Sequence, residues 1–467
     1  MVTVRLARPI ALAAALLVLA GCTAPPSAGP SSSGAGTPSS TVPAVSTCVA
    51  DPSAVVARTA PLPTSELPAD LAATLDKTAQ DAFAQTSAKG AVVAVQSPKG
   101  LFLKAYGVAD PATGAPMTTD IYQRVGSITK PFTGTLTLQL AAEGKLSLDD
   151  TISKYIDGVP RGDKVTLRML ADMTSSITSY TKDPAWQKIF FSETDRVWTP
   201  EELLKAGISL PPQDFAPGTA FDYSNTNTIL LGLVIQKVTG KSYQDVLAEK
   251  ISTPLGLTHT IFPAGSAAFP DPHAQGFTLQ GGHGTPQDPA NTTNWNPSWG
   301  WSAGELISSA RDLLTFGRAE ATGAGLVPAK AQIERLTSFR EFNGPGNGGY
   351  GIGWGCQNGW VGHTGELPGY NTAMFYSTKD DTTIITMVNS DIPSGDCPSD
   401  ASTLTDNPTD LPCSSPATRI FQSLAKERLM TADARPHPVP PAGPRLGFFT
   451  RVLDAAPPAE RYRLALE

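Results

Sequence analysis

The sequence has little of what several large functional classes require. Only 16% of its 467 residues are charged, and the formal net charge is −7. No Lys/Arg run interleaved with aromatics offsets that acidic balance, which argues against nucleic acid as a partner. Its five histidines, at 259, 273, 283, 363 and 437, show no metal-ligand spacing. Neither a metal nor another cofactor is therefore expected. The apolar run from Pro9 to Ala20 falls short of the roughly 20 residues that span a bilayer. Glycine and proline, 42 of each, together stay below the roughly 25% that marks low-complexity chains, and an apolar content of 40% is that of a globular protein.

What is present begins with an export signal. Arg5 and Arg8 precede the apolar run, which ends in Leu19-Ala20-Gly21-Cys22. That ending resembles the bacterial lipoprotein cleavage box, so residues 1–21 are expected to be removed and Cys22 to carry lipid. The mature chain would then be anchored to the outer face of the bacterial cell membrane; an ordinary cleaved signal is the alternative. With Cys22 so used, Cys48, Cys356, Cys397 and Cys413 remain, an even number in an exported chain. This favours disulfides over metal and leaves three connectivities open. Residues 22–64, rich in Pro, Ser, Gly and Thr, read as a disordered tether. Residues 65–430 read as one folded body and 431–467 as a Pro-rich extension.

Within the body, helical spacing covers Pro68 to Ala84, and Ala91–Val95 and Leu101–Tyr106 read as a hairpin. Ser127 to Ala142 predicts a helix, with Pro131 tolerable in its first turn and Gly144 as its stop. Residues 146–220 supply short helical pieces suited to a second lobe. Asn225–Val238 is an apolar, buried helix closed by Gly240. A helical run is expected over Glu305–Arg318. Trp360–Val361, Thr372–Tyr376 and Thr382–Asn389 read as strands, and Ala417–Met430 as an amphipathic helix. The expected fold is mixed α/β: an antiparallel sheet of five or more strands completed by both ends of the chain, flanked by N- and C-terminal helices, plus an all-helical lobe.

A Ser followed three residues later by Lys on a helix places both side chains on one face, where the amine can take the hydroxyl proton. Three such pairs occur: Ser127 with Lys130, Ser179 with Lys182, and Ser423 with Lys426. Only Ser127 opens a long apolar helix, whose N-terminal N–H groups can stabilise an oxyanion. Tyr223-Ser224-Asn225 stands just before the buried helix. A phenol beside an amine can pass a proton to a leaving group, and an Asn amide can bind a carbonyl. His363-Thr364-Gly365 ends a strand-like segment. Thr364 could hold a substrate carboxylate, His363 offers a titratable donor, and Gly365 lets substrate backbone lie along a strand edge.

Together these three elements resemble the serine β-lactamase and penicillin-binding-protein superfamily, in its class C β-lactamase and D,D-carboxypeptidase branch. Arg124 to Phe132, Glu143 to Asp150, Pro217 to Gly232, Pro254 to Leu257 and Tyr350 to Gly355 extend the likeness. The resemblance implies a β-lactamase/transpeptidase-like fold, Ser127 as acylated nucleophile, Lys130 as its base and Tyr223 as proton shuttle. It implies that Asn225 binds the acyl-side amide, that the backbone N–H groups of Ser127 and Glu366 form the oxyanion hole, and that His363, Thr364 and Gly365 contact the substrate. His363 replaces the Lys usual in β-lactamases, so the charge of the site would change near the ordinary His pKa of about 6.5. Ser176 stands where the family often has Gly.

The resemblance thus implies an exported serine hydrolase acting on a small-molecule or peptide substrate, most plausibly a D-amino-acid peptide as a D,D-carboxypeptidase does. Esterase or β-lactamase activity is the enzymatic alternative, and an inactive penicillin-binding-like surface protein the non-enzymatic one. Two rival motifs compete. Gly300-Trp301-Ser302-Ala303-Gly304, with Asp312 and His363 downstream, matches a lipase-type elbow, but poor strand material precedes it. Gly344 to Gly349 matches a dinucleotide fingerprint, but in the wrong strand and helix context.

Overall fold

The segment Ala91-Val92-Val93-Ala94-Val95 carries no polar residue because both faces of its strand are covered. Val92 and Ala94 join one hydrophobic cluster, while Ala91, Val93 and Val95 join another on the opposite face. A strand buried on both sides loses the usual apolar/polar alternation. The computed structural model describes residues 47–341, 348–397 and 402–427. The expected export signal with Cys22, residues 22–46 of the expected tether, most of the Gly344–Gly349 loop and the expected 431–467 extension lie outside the described residues.

Nine strands among the described residues form one antiparallel sheet. They are β1 (Gly90–Ser97), β2 (Gly100–Asp110), β3 (Ala115–Pro116), β4 (Arg340–Glu341), β5 (Gly348–Tyr350), β6 (Gly355–Gln357), β7 (Trp360–Leu367), β8 (Tyr370–Ser377) and β9 (Thr382–Val388). Their order is β3-β2-β1-β9-β8-β7-β6-β5-β4, so the first and last long strands pair in its interior, with Val93 opposite Thr386. The fold is the expected mixed α/β one, closed by both ends of the chain.

On one face lie α1 (Ala69–Ala84) and the C-terminal helix Pro416–Lys426. Leu75, Ala79 and Ala82 of α1 recur at helical spacing and meet Ala417, Ile420, Phe421 and Leu424 against the sheet. The other face carries α2 (Thr129–Ala142), α3 (Asn225–Thr239) and α4 (Ala310–Thr322), with the smaller helices of the second lobe packed around α3. The helical run expected from Glu305 begins later. Ile307–Ser308 first pairs as a strand with Gln123–Arg124, and Ser309 then caps α4 by accepting from the Asp312 N–H. Gly240 ends α3 in the left-handed conformation, at φ 67°.

Disulfides join Cys48 to Cys356 and Cys397 to Cys413. The first spans 308 residues of sequence. A disulfide typically contributes about 2–4 kcal/mol to stability, and more for longer loops in chain-entropy terms. Residues 47–64, read from sequence as the end of the tether, include a helical turn at Pro52–Val56. Val49 and Val55 pack with Phe339, Trp354 and Tyr376, so the chain joins the body before residue 64.

Candidate active site

The backbone turns sharply before α2. Gly126, at φ +54°, opens a 3-10 turn over Gly126–Ile128, and a Cβ there would lie 2.6 Å from the backbone N of Glu366. Only glycine permits this approach, which brings the stretch carrying the Ser127 N–H beside the one carrying the Glu366 N–H. Gly365 serves the same junction. Its Cβ would lie 1.8 Å from the Val125 carbonyl oxygen, so its missing side chain makes room for the protein's own backbone rather than for substrate.

Ser127 lines a cleft of about 190 Å³ with Tyr223, Asn225 and Glu366. Lys130 Nζ lies 3.0 Å from Ser127 Oγ and 2.8 Å from the Ala303 carbonyl oxygen. Lys130 is fully buried, and burial holds its amine well below the ordinary lysine range. Its Nζ also sits 4.8 Å from the centre of the Tyr223 ring. Burial raises the Tyr223 phenol, against a hydrogen bond with Ser127 that lowers it. The two groups are therefore driven to their neutral forms, a free amine able to accept a proton and a phenol able to give one. Asn225, at the first turn of α3, donates from Nδ2 to Thr181 Oγ1 at 3.3 Å and from its backbone to Ser179 Oγ at 3.1 Å.

The other two Ser/Lys pairs are occupied elsewhere. Lys182 Nζ is bound to Asp222 at 2.7 Å and 3.0 Å, and Ser423 donates to the Arg419 carbonyl at 3.1 Å. The lipase-type elbow is likewise spent. A 3-10 turn, Pro297–Trp299, precedes Ser302 instead of a strand; Ser302 is fully buried and donates to the Thr228 carbonyl. Asp312 accepts from His259 N and Thr260 Oγ1, not from His363.

His363 differs from the expected titratable donor. It is buried, and burial pushes its pKa down to about 3. The ring is neutral at physiological pH, so no change of site charge occurs near 6.5. Its Nδ1 donates to the Thr364 carbonyl oxygen, which leaves Nε2 to accept from the Tyr350 hydroxyl at 3.0 Å. Thr364 is also buried, and neither residue lines the cleft. Sequence reasoning gave Tyr350 no role at the site, yet its ring stands edge-on to both His363 and Tyr223. Its only sequence signal was its place in the Tyr350–Gly355 phrase. A wall of Trp186, Phe190, Phe191 and Trp299 was also unforeseen; Trp186 stacks on Phe190 with ring centroids 5.1 Å apart. Ser176 adopts φ +65°, which favours glycine, and its Oγ accepts from Arg161 Nη1 at 3.1 Å.

The Beta-lactamase family model matches residues 75–404. The chain belongs to that family. A D-stereospecific amidohydrolase from Streptomyces sp. is similar at 32% identity and a TM-score of 0.62, over 68% of this chain and 94% of the other. A D-amino acid amidase from Ochrobactrum anthropi SV3, 24% identical with a TM-score of 0.64 over 77% of this chain and 100% of the other, shares the fold. Among curated relatives, the Staphylococcus aureus (strain COL) protein flp is 26% identical over 64% of this chain and 59% of its own length. The chain spans about three-fifths of the length of the curated relatives it matches.

Proposed function

We propose that the protein is an exported, lipid-anchored hydrolase that cleaves the amide bond of a D-amino-acid substrate through an acyl-enzyme on Ser127. The observation that carries the reading is the buried Lys130 amine, held 3.0 Å from Ser127 Oγ and below the ordinary lysine range by burial. Lys130 Nζ takes the hydroxyl proton as Oγ attacks the substrate carbonyl carbon. The carbonyl oxygen becomes an oxyanion facing the N–H groups of Ser127 and Glu366, and a donor at such a position lowers the barrier by about 3–4 kcal/mol. Tyr223 gives its proton to the leaving nitrogen and regains one from Lys130. Water then attacks the acyl-serine by the reverse route, releasing the acid and restoring Ser127.

The likeness to a D-stereospecific amidohydrolase supports a D-configured amide. The aromatic wall beside Ser127 supports a bulky apolar side chain next to the scissile carbonyl. The test is kcat/KM on D-phenylalanine amide and its L enantiomer. The D form is expected to lead by at least about tenfold, the discrimination a shaped apolar pocket supplies. Equal rates on both enantiomers, or hydrolysis of esters alone, would contradict the reading.

A further inference from the structure

The charge of the cleft bears on which end of a D-amino-acid substrate it takes. Among its described lining residues Glu366 alone carries a carboxyl, and none is Lys, Arg or His. Among the described residues, His283 lies beyond the lining residue Phe191, with its Nε2 bonded to the Phe191 carbonyl oxygen at 2.8 Å. Lys182, next to the lining residue Thr181, is paired with Asp222, while Lys130 and His363 are buried behind the cleft surface. Gln280, which also lines the cleft, brackets Glu366. Its Nε2 lies 3.5 Å from Glu366 Oε1 and donates to Asp391, a buried carboxyl that also accepts from Thr278 Oγ1 at 2.8 Å. One amide thus joins two acids at the cleft, a setting that favours a cation and disfavours an anion.

Covalent geometry brings substrate and carboxyl together. The α-nitrogen of an amino acid is two bonds from its carbonyl carbon, and the Glu366 Cβ is two bonds from the backbone N that faces the carbonyl oxygen. Resting on the amidase reading above, we propose that the Glu366 side chain determines specificity by binding the free α-ammonium of the substrate. The protein then acts on amino-acid amides and on the N-terminal residue of D-peptides. It disfavours substrates whose residue at the scissile carbonyl is N-acylated, and residue 366 serves catalysis through its backbone and selection through its side chain.

The test compares kcat/KM on D-phenylalanine amide with that on N-acetyl-D-phenylalanine amide, which lacks the charge, in wild type, Glu366→Gln and Glu366→Asp. A ratio taken within one variant cancels any general loss of activity. Wild type is expected to favour the free amine by about tenfold or more, as a charge-assisted hydrogen bond supplies. Glu366→Gln should lower that ratio by about tenfold, and Glu366→Asp should keep part of it. A wild-type ratio near one, or an undiminished ratio in Glu366→Gln, overturns the proposal. Should the Gln variant not fold, the wild-type ratio decides alone. Hydrolysis without amine preference defeats this proposal only, whereas no hydrolysis of either amide and no adduct on Ser127 defeats the amidase reading itself.

Discussion

Replacing Lys130 with Met is expected to slow acylation of Ser127 by about 10²–10⁴-fold, the range for loss of a positioned general base. The Nζ is 3.0 Å from Ser127 Oγ, and the Tyr223 phenol, which also bonds Ser127, is held in its protonated form by burial. The wild-type acylation rate should rise with pH through the lowered pKa of Lys130, since only the free amine accepts the proton. The variant should lose that limb. Stability responds with the same sign. Between the lowered folded pKa and the ordinary lysine value the unfolded chain holds a proton that the folded chain does not, so wild-type stability rises with pH across that window. Lys130→Met should flatten the rise. Stopped-flow acylation with a chromogenic acyl donor, and denaturation midpoints at several pH values, measure the two effects. An unchanged acylation rate in the variant would remove Lys130 from the mechanism.

Arg335→Met should destabilise the fold by about 3–5 kcal/mol, the penalty for leaving one member of a buried ion pair alone. Arg335 and Glu320 are both fully buried and bonded to each other, and burial pushes the Glu320 carboxyl up to about 7 even with Arg335 beside it. Arg335 also donates to Thr135 Oγ1 at 2.8 Å and to the Ile352 carbonyl at 3.2 Å, with its guanidinium 4.3 Å from the Trp354 ring centre. Thr135 belongs to the helix that carries Lys130, and Ile352 follows Tyr350, so one side chain ties the base's helix to the segment that holds His363. Combining Arg335→Met with Glu320→Leu should recover most of the loss, because an apolar pair replaces the ion pair without leaving a bare charge. Denaturant midpoints for the single and double variants test this. A loss below about 1 kcal/mol in the single variant would contradict the account.

The parts of the site legible in sequence were those written locally. Ser127 and Lys130 lie one helical turn apart, and the apolar run behind them marks the helix start, so three residues of spacing carry the geometry. Likewise the uninterrupted apolar run at 91–95 and the helical spacing of Leu75, Ala79 and Ala82 stated which faces would be covered. What depends on distant segments meeting was not legible. The charge state of His363 follows from burial beside Tyr350 and Lys130, which no local pattern encodes. Gly365 read as room for substrate, yet it makes room for Val125, some 240 residues earlier. The disulfide partners stayed open because Cys48 meets Cys356 only once the sheet has formed. The side chain of Glu366 passed unnoticed for the same reason: its backbone belongs to a motif, while its charge matters only in a cleft whose walls come from six separate stretches of chain.

Intact-protein mass after exposure to a fluorophosphonate tests the central claim most directly, in wild type, Ser127→Ala and Ser302→Ala. The account predicts one covalent adduct on wild type and on Ser302→Ala, and none on Ser127→Ala. An adduct that persists in Ser127→Ala and disappears in Ser302→Ala would place the nucleophile at the buried elbow and contradict it.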